Sequence, residues 1–88
     1  MRWTRETVRG TLVELLAKHA DTKTPISDTT NLVGDLGIDS LGVMEIVASL
    51  EDTFRLQIPD EALRGVETVA DVANVIEARL SGEGRLGG

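Results

Sequence analysis

The chain has 88 residues, a formal net charge of −6 and no cysteine, so it should form one small domain without a disulfide framework. Its acidic balance argues against binding to a nucleic-acid backbone, which requires clustered lysine and arginine side chains. No apolar run approaches the ~20 residues of a membrane span and no signal-peptide pattern is present, so we expect a cytoplasmic protein that does not bind membranes.

The first apolar-periodic segment predicts a helix from about Thr4 to His19. Only Trp3 and Phe54 are aromatic, so the core should be aliphatic, and Trp3 should either pack at the helix start or stay exposed. His19 is the only histidine, and at a helix C-terminus we expect it to contact the helix dipole rather than act as a ligand or base. The apolar stripe, with i, i+4, i+7 and i+8 spacing, consists of Val8, Leu12, Leu15 and Leu16.

Residues 20–39 are rich in turn-forming residues, which predicts a long connection. We expect a loop that lies over the helices and ends rigidly at Ser40. Four apolar residues spread along the segment should pin it to the core: Ile26, Leu32, Leu36 and Ile38.

The second predicted helix runs from Leu41 to Phe54, with Ser40 at or next to its N-cap. A serine at this position either caps the helix or uses its hydroxyl at the positive end of the helix dipole. The core stripe consists of Val43, Ile46, Val47, Leu50 and Phe54. A second apolar row, which either extends the core or contacts other proteins, consists of Leu41, Met44 and Ala48, near the acids Glu45, Glu51 and Asp52.

Two further helices complete the predicted fold. Pro59 and the two acids after it suit a first helical turn, and Gly65 should end this short third helix. Thr68 and Asp71 form a start signal for a fourth helix that reaches Leu80. The sequence therefore predicts an all-α fold, a small four-helix bundle of three longer helices and one short third helix. Residues 1–80 should form the domain, and residues 81–88, which lack a core pattern, a flexible tail.

Nearly all of the net charge lies around Ser40. Between Ser27 and Leu63 there are eight acidic residues and one basic residue, which gives this segment a formal charge of −7. Such a segment is most often a solvated face that keeps a protein soluble. Its concentration around one serine favours a docking surface for basic partners.

The run from Asp35 to Glu61, DLGIDSLGVMEIVASLEDTFRLQIPDE, resembles the core signature of acyl carrier proteins. The resemblance extends from about Leu12 to Leu80. The Asp-Ser-Leu triplet, the acidic helix and the Ile-Pro-Asp-Glu turn occur in the order typical of that family. The resemblance implies the all-α carrier fold and a covalent 4′-phosphopantetheine arm, taken from coenzyme A, on Ser40 between Asp39 and Leu41. Gly42 departs from the acidic or larger residue that is frequent there.

The resemblance also implies a function and a set of partners. The arm would hold acyl intermediates as thioesters for enzymes of fatty acid or polyketide biosynthesis, antibiotic biosynthesis included. The chain would be a monomeric carrier and not an enzyme. Its partners would be a phosphopantetheinyl transferase, and acyltransferase, ketosynthase and related enzymes with basic docking surfaces. The residues that would meet them are Leu41, Met44, Glu45, Ala48, Glu51 and Asp52.

Three alternative functions explain less of the sequence. A serine hydrolase with a Gly-Asp-Ser-Leu motif is disfavoured, because Ile38 replaces the glycine and His19 is the only histidine. A helical interaction domain without a prosthetic group explains the acids but not the Asp-Ser-Leu context. A peptidyl or aminoacyl carrier of a nonribosomal pathway stays open, although residues 35–39 are more typical of the acyl type. The cargo and the pathway also stay open.

Overall fold

The computed structural model describes residues 3–20 and 25–87. These ranges contain α1 (Arg5–Ala20), α2 (Ser40–Phe54), a 3₁₀ helix (Asp60–Leu63) and α3 (Val69–Gly82), and they contain no β-strand. Helix α1 packs against α2 and α3, and the 3₁₀ helix packs against α3. The predicted all-α bundle is confirmed, and its short third element is a 3₁₀ helix. None of the described helices is long and apolar enough to cross a bilayer.

The core is aliphatic except for Phe54, whose side chain is fully buried. The predicted stripes of α1 and α2 face this core, although Leu15 and Val43 are only partly buried at its edge. Complete burial of one such side chain contributes roughly 1.5–3 kcal/mol, so these stripes determine how the helices pack. The buried apolar residues of the helices are Val8, Leu12 and Leu16 of α1, Ile46, Val47, Leu50 and Phe54 of α2, and Val69, Val72, Ala73, Ile76 and Leu80 of α3.

The segment before α2 is attached both to the core and to the start of α3. Leu32, Leu36 and Ile38 are buried and Ile26 is partly buried, as the sequence predicts. The Leu32 amide also donates a hydrogen bond to the Glu67 carbonyl at 2.9 Å. Residues 21–24 of the predicted loop lie outside the described residues. Tertiary contacts therefore hold residues 25–39 in place on the approach to α2.

The predicted start signal of α3 is a complete capping box. The Thr68 hydroxyl accepts a hydrogen bond from the Asp71 amide at 3.3 Å, and Asp71 Oδ2 accepts one from the Thr68 amide at 3.0 Å. Asp71 Oδ2 also accepts from the Glu67 amide at 3.0 Å. The backbone hydrogen bonds from Glu67 and Thr68 hold the pKa of the Asp71 carboxyl below its ordinary value. A local signal thus marks where α3 begins, and the distant carbonyls of Thr30 and Asp28 accept hydrogen bonds from the Val69 and Ala70 amides.

Ion pairs connect α1, α3 and the segment before α2. Glu77 of α3 is buried, and its carboxylate lies 3.5 Å from Arg5 Nε and 3.5 Å from Arg9 Nε of α1. Arg9 Nη1 in turn lies 2.7 Å from Asp28 Oδ1. A buried carboxylate requires such partners, because water no longer stabilises its charge.

The two ends of the described chain lie side by side. The Trp3 amide donates to the Arg85 carbonyl at 2.9 Å, and the Gly87 amide donates to the Trp3 carbonyl at 2.6 Å. Helix α3 continues to Gly82, and Leu86 packs against the core together with Trp3. The sequence predicts a flexible tail from residue 81, whereas in the structure residues 81 and 82 continue α3 and residues 85–87 are partly buried against the domain. Residue 88 lies outside the described residues.

Arg85 contacts the C-terminal end of α2, and the apolar pattern of the sequence does not predict this contact. Its guanidinium donates to the Phe54 carbonyl and, at 2.8 Å, to the Arg55 carbonyl. Carbonyls at a helix C-terminus lack intrahelical donors, and a cation is favoured at this negative end of the dipole. The Trp3 ring meets the Phe54 ring with centroids 4.4 Å apart, so Trp3 packs at the end of α2 and not at the start of α1. The sequence does not predict this packing, because Leu86 is the only large apolar residue in residues 81–88.

We expect truncation after Gly82 to lower the melting temperature by about 5–15 °C, measured by circular dichroism. The truncation removes the charge-assisted hydrogen bonds of Arg85, which together contribute about 1.5–3 kcal/mol because solvent partly screens this side chain, and it uncovers Trp3. Removal of residue 88 alone is the control and should leave the melting temperature unchanged. If the truncated and full-length chains melt together, the domain ends near the predicted boundary at Leu80.

Candidate attachment site and docking surface

Ser40 is the first residue of α2, and its side chain is exposed. The N-cap is Asp39, whose backbone is extended and whose Oδ1 accepts a hydrogen bond from the Gly42 amide at 2.7 Å. The hydrogen bonds among the described residues include none to Ser40 Oγ. The capping role that the sequence allows for Ser40 is therefore filled by its neighbour, which leaves the serine hydroxyl available for chemistry.

Close packing fixes the backbone on both sides of Ser40. A Cβ atom on Gly42 would lie 2.8 Å from Ile38 Cγ2 and 3.2 Å from Asp39 Oδ1, so a side chain at this position would displace its neighbours. Ile38 is buried and branched at Cβ, which restricts its rotation. Gly37, with φ of +67°, turns the chain immediately before this contact. The departure from the family pattern at Gly42 thus has a local packing cause.

Exposed apolar side chains surround Ser40. Leu41 is 68% exposed and Met44 is 54% exposed, and Ala48 is also exposed. This row therefore does not extend the core and forms an exposed apolar patch on α2. Val33, 63% exposed, belongs to the same region but lies in the loop, where no periodicity identifies it from sequence.

The acids around Ser40 divide into two groups. Four of the eight make contacts within the chain: Asp28, Asp35, Asp39 and Glu51. Glu51 belongs to the predicted docking set, but its Oε2 accepts a hydrogen bond from the Ile58 amide at 2.8 Å and so ties α2 to the following connection. Glu45 and Asp52 are exposed and make no side-chain hydrogen bond or ion pair with the described residues. The same holds for Asp60 and Glu61 of the 3₁₀ helix, so Glu45 and Asp52 are the two such acids on α2 itself.

A groove of about 370 Å³ begins at Ser40 and extends towards the 3₁₀ helix. Most of its surface is apolar, and Asp60 and Arg64 are its two charged lining residues. Asp60 belongs to the Ile-Pro-Asp-Glu turn, but no motif marks Arg64, and only the folded chain brings the two residues to the groove beside Ser40. The groove is lined by Val33, Ser40, Val43, Met44, Asp60, Leu63 and Arg64.

His19 is not placed to activate Ser40. It lies in the last turn of α1, as predicted, and lines a separate hollow of about 210 Å³ with Asp39, Gly42 and Glu45. Residues 3–20 and 25–87 contain no cluster of three carboxylate or imidazole side chains able to bind a metal ion. Among the residues that the structure describes, no hydrogen bond joins the Ser40 hydroxyl to an imidazole or a carboxylate.

Comparisons with known proteins agree with this geometry. The family profile described as a phosphopantetheine attachment site matches residues 6–76. An acyl carrier protein of Helicobacter hepaticus is 41% identical over 75 residues, which cover 85% of this chain and 95% of that protein. The chain belongs to the acyl carrier protein family.

Two further relatives support this assignment. An acyl carrier protein of Prochlorococcus marinus is 44% identical over 54 residues, or 61% of this chain and 68% of that protein. A solved structure from Mycobacterium tuberculosis, described as a candidate acyl carrier protein, matches with a TM-score of 0.76 at 27% identity. That match covers 81% of this chain and 96% of the other chain. The expected all-α carrier fold and covalent phosphopantetheine group are confirmed, and the chain is a carrier protein rather than an enzyme.

We expect Gly42→Ala to lower the melting temperature, although alanine favours a helix over glycine by up to ~1 kcal/mol. The added Cβ would collide with Ile38, which is buried and cannot move freely. Gly10→Ala is the matched control, because a Cβ on Gly10 of α1 meets no heavy atom within 4 Å. That variant should be as stable as the wild type or more stable. Equal stabilisation by both substitutions, measured by thermal denaturation, would contradict the packing role of Gly42.

Proposed function

We propose that Ser40 carries the 4′-phosphopantetheine arm and that this chain delivers acyl groups to enzymes of fatty acid or polyketide biosynthesis. The main supporting observation is the exposed Ser40 hydroxyl at the first residue of α2, which is free because Asp39 caps the helix. The site fits the prosthetic group of the family, since an open groove begins at that hydroxyl. When bound, the arm supplies a terminal thiol that holds an acyl group as a thioester.

In the proposed loading reaction, Ser40 Oγ forms a bond to the β-phosphorus of coenzyme A. The diphosphate P–O bond breaks, 3′,5′-adenosine diphosphate leaves, and the hydroxyl proton passes to a base on the transferase. This chain contributes the exposed hydroxyl and the positive end of the α2 dipole, which favours an anion at Ser40. The cap formed by Asp39 and the packing of Ile38 against Gly42 hold the hydroxyl in one place.

The proposed docking surface surrounds the arm. Leu41, Met44 and Ala48 supply the exposed apolar contacts, and Val33 extends them. Apolar contacts of this kind determine affinity and register, whereas charges mainly accelerate the encounter. The acids are Glu45 and Asp52, with Glu51 adding charge while it holds Ile58. The proposed partners are a phosphopantetheinyl transferase, acyltransferases, ketosynthases and related enzymes with basic docking surfaces.

Tethering explains why such a carrier needs no catalytic residue of its own. A substrate fixed to a docked carrier meets the active site of the partner as an intramolecular reactant, which raises its effective concentration. We propose that the chain acts as a monomer in the cytoplasm, where coenzyme A and the biosynthetic partners are present. A peptidyl or aminoacyl carrier would use the same residues. The acyl cargo is favoured because the relatives are named acyl carrier proteins.

The attachment proposal is tested by incubating the chain with coenzyme A, magnesium and a broad-specificity transferase, followed by intact-mass analysis. We expect one phosphopantetheine on the wild type and none on Ser40→Ala, because no other hydroxyl has this position. The variant should keep its helical circular dichroism spectrum, since Ser40 is exposed and does not cap α2. Modification of the folded Ser40→Ala variant would show that another residue carries the arm.

The docking proposal is tested by reversing Glu45 and Asp52 to lysine together. We expect loading by the transferase to slow by about tenfold at low ionic strength, with little loss of fold. Salt screens exposed charges, so the difference from the wild type should shrink as ionic strength rises. The matched control reverses Glu6 and Glu67, two exposed acids on other elements, and should load at nearly the wild-type rate. Equal loading rates for all three proteins at low salt would contradict the docking proposal and would show that the acidic face only keeps the protein soluble.

A further inference from the structure

Arg64 is the only basic residue that lines the groove beginning at Ser40. It directly follows the 3₁₀ helix, and its backbone amide donates to the Glu61 carbonyl at 3.3 Å, which fixes the base of the side chain. Its side chain is exposed, and among the described residues no carboxylate oxygen lies within 4.0 Å of its guanidinium. The groove thus holds a cation without a direct ion-pair partner in the described part of the chain.

The other arginines of the described residues differ from Arg64 in pairing or in position. Arg5, Arg9 and Arg85 each form ion pairs with carboxylates of the chain. Arg55 and Arg79 have no such pair, but Arg55 lies at the opposite end of α2 from Ser40, and Arg79 lines a different groove on α3 that does not include Ser40. Among the arginines of the described residues, Arg64 alone both lines the groove at Ser40 and lacks an ion pair with a described carboxylate.

A cation in this groove would add to the favourable effect of the α2 dipole on an anion attached to Ser40. The acid Asp39 directly precedes Ser40, and Asp60 lines the same groove, so a phosphodiester at the serine would meet two like charges. Repulsion between like charges at short range opposes that arrangement. A guanidinium offers several N–H donors in a planar fork that matches phosphate oxygens. Arg64 has both the charge and the donors that would offset this repulsion.

We propose that Arg64 is a positioning residue that holds the phosphodiester of the arm on Ser40 and so directs the arm into the groove between α2 and the 3₁₀ helix. This proposal rests on the attachment of the arm at Ser40. Beyond the phosphate, the arm would pass along the apolar side chains of Met44 and Leu63, which line the same groove. A carboxylate on the cargo is the other anion that a cation here could bind, and the experiment separates the two.

The experiment compares apo and fully loaded forms of the wild type, Arg64→Gln, Arg64→Lys and Arg79→Gln. Intact mass and fragmentation first establish that all four carry one arm on Ser40. Loading should raise the melting temperature of the wild type and of Arg79→Gln by about 2–5 °C, and that of Arg64→Gln by less than half as much. The ³¹P resonance of Arg64→Gln should move towards that of a loaded unstructured peptide. Arg64→Lys should be intermediate, because it keeps the charge and loses the fork.

The outcomes distinguish a failure of the attachment proposal from a failure of the role proposed for Arg64. An arm on another residue would overturn both the attachment proposal and the role of Arg64. An arm on Ser40, with the same ³¹P resonance and the same gain in melting temperature in all four proteins, would overturn the role of Arg64 alone. Acetyl-loaded and malonyl-loaded forms provide the final comparison. If Arg64→Gln differs from the wild type only in the malonyl form, Arg64 binds a cargo carboxylate and the phosphodiester proposal is wrong.

Discussion

The hydrogen bond from the Gly42 amide to the Asp39 carboxylate is the contact on which the site depends. It starts α2 without using the Ser40 hydroxyl, and the tight packing of Ile38 against Gly42 keeps that start in one conformation. The buried apolar residues of the preceding loop extend this constraint back to the core and to α3. Neighbouring residues fix the position of Ser40, and its hydroxyl makes no hydrogen bond with the described residues. A large group could therefore be attached to it without loss of fold. This explains how a small aliphatic bundle can present one reactive hydroxyl.

The acids around Ser40 act in two ways that net charge alone does not distinguish. Some are structural: Asp39 caps α2, and Glu51 holds the chain that leads to the 3₁₀ helix. Others, such as Glu45 and Asp52, face outward without a partner among the described residues, and these are the ones available for long-range attraction of a basic enzyme. In the proposed docking, the exposed apolar side chains near them would provide the short-range contact. The same segment of sequence thus contains residues that stabilise the fold and residues proposed to bind partners.

Sequence predicts what depends on near neighbours. Helical periodicity identifies the core stripes, and the Thr68 and Asp71 pair marks the start of α3, because both signals lie within a few residues. The resemblance of the Asp-Ser-Leu segment points to Ser40 as the residue proposed to carry the arm. Contacts between distant positions are absent from such patterns: Arg85 reaches Phe54 across 31 positions. Arg64 likewise meets the groove only in the folded chain. These charged residues do not recur at a helical spacing. The sequence pattern therefore does not show which residues they contact, and the folded structure does.

The position of the arm on the unmutated protein tests this account most directly. Wild-type chain loaded from coenzyme A would be digested, and the modified peptide would be fragmented in a mass spectrometer. The account predicts one phosphopantetheine per chain, with fragment ions that place it on Ser40. A group located on Ser27, Ser49 or Ser81, or a folded chain that accepts no group under conditions that load another acyl carrier protein, would contradict it.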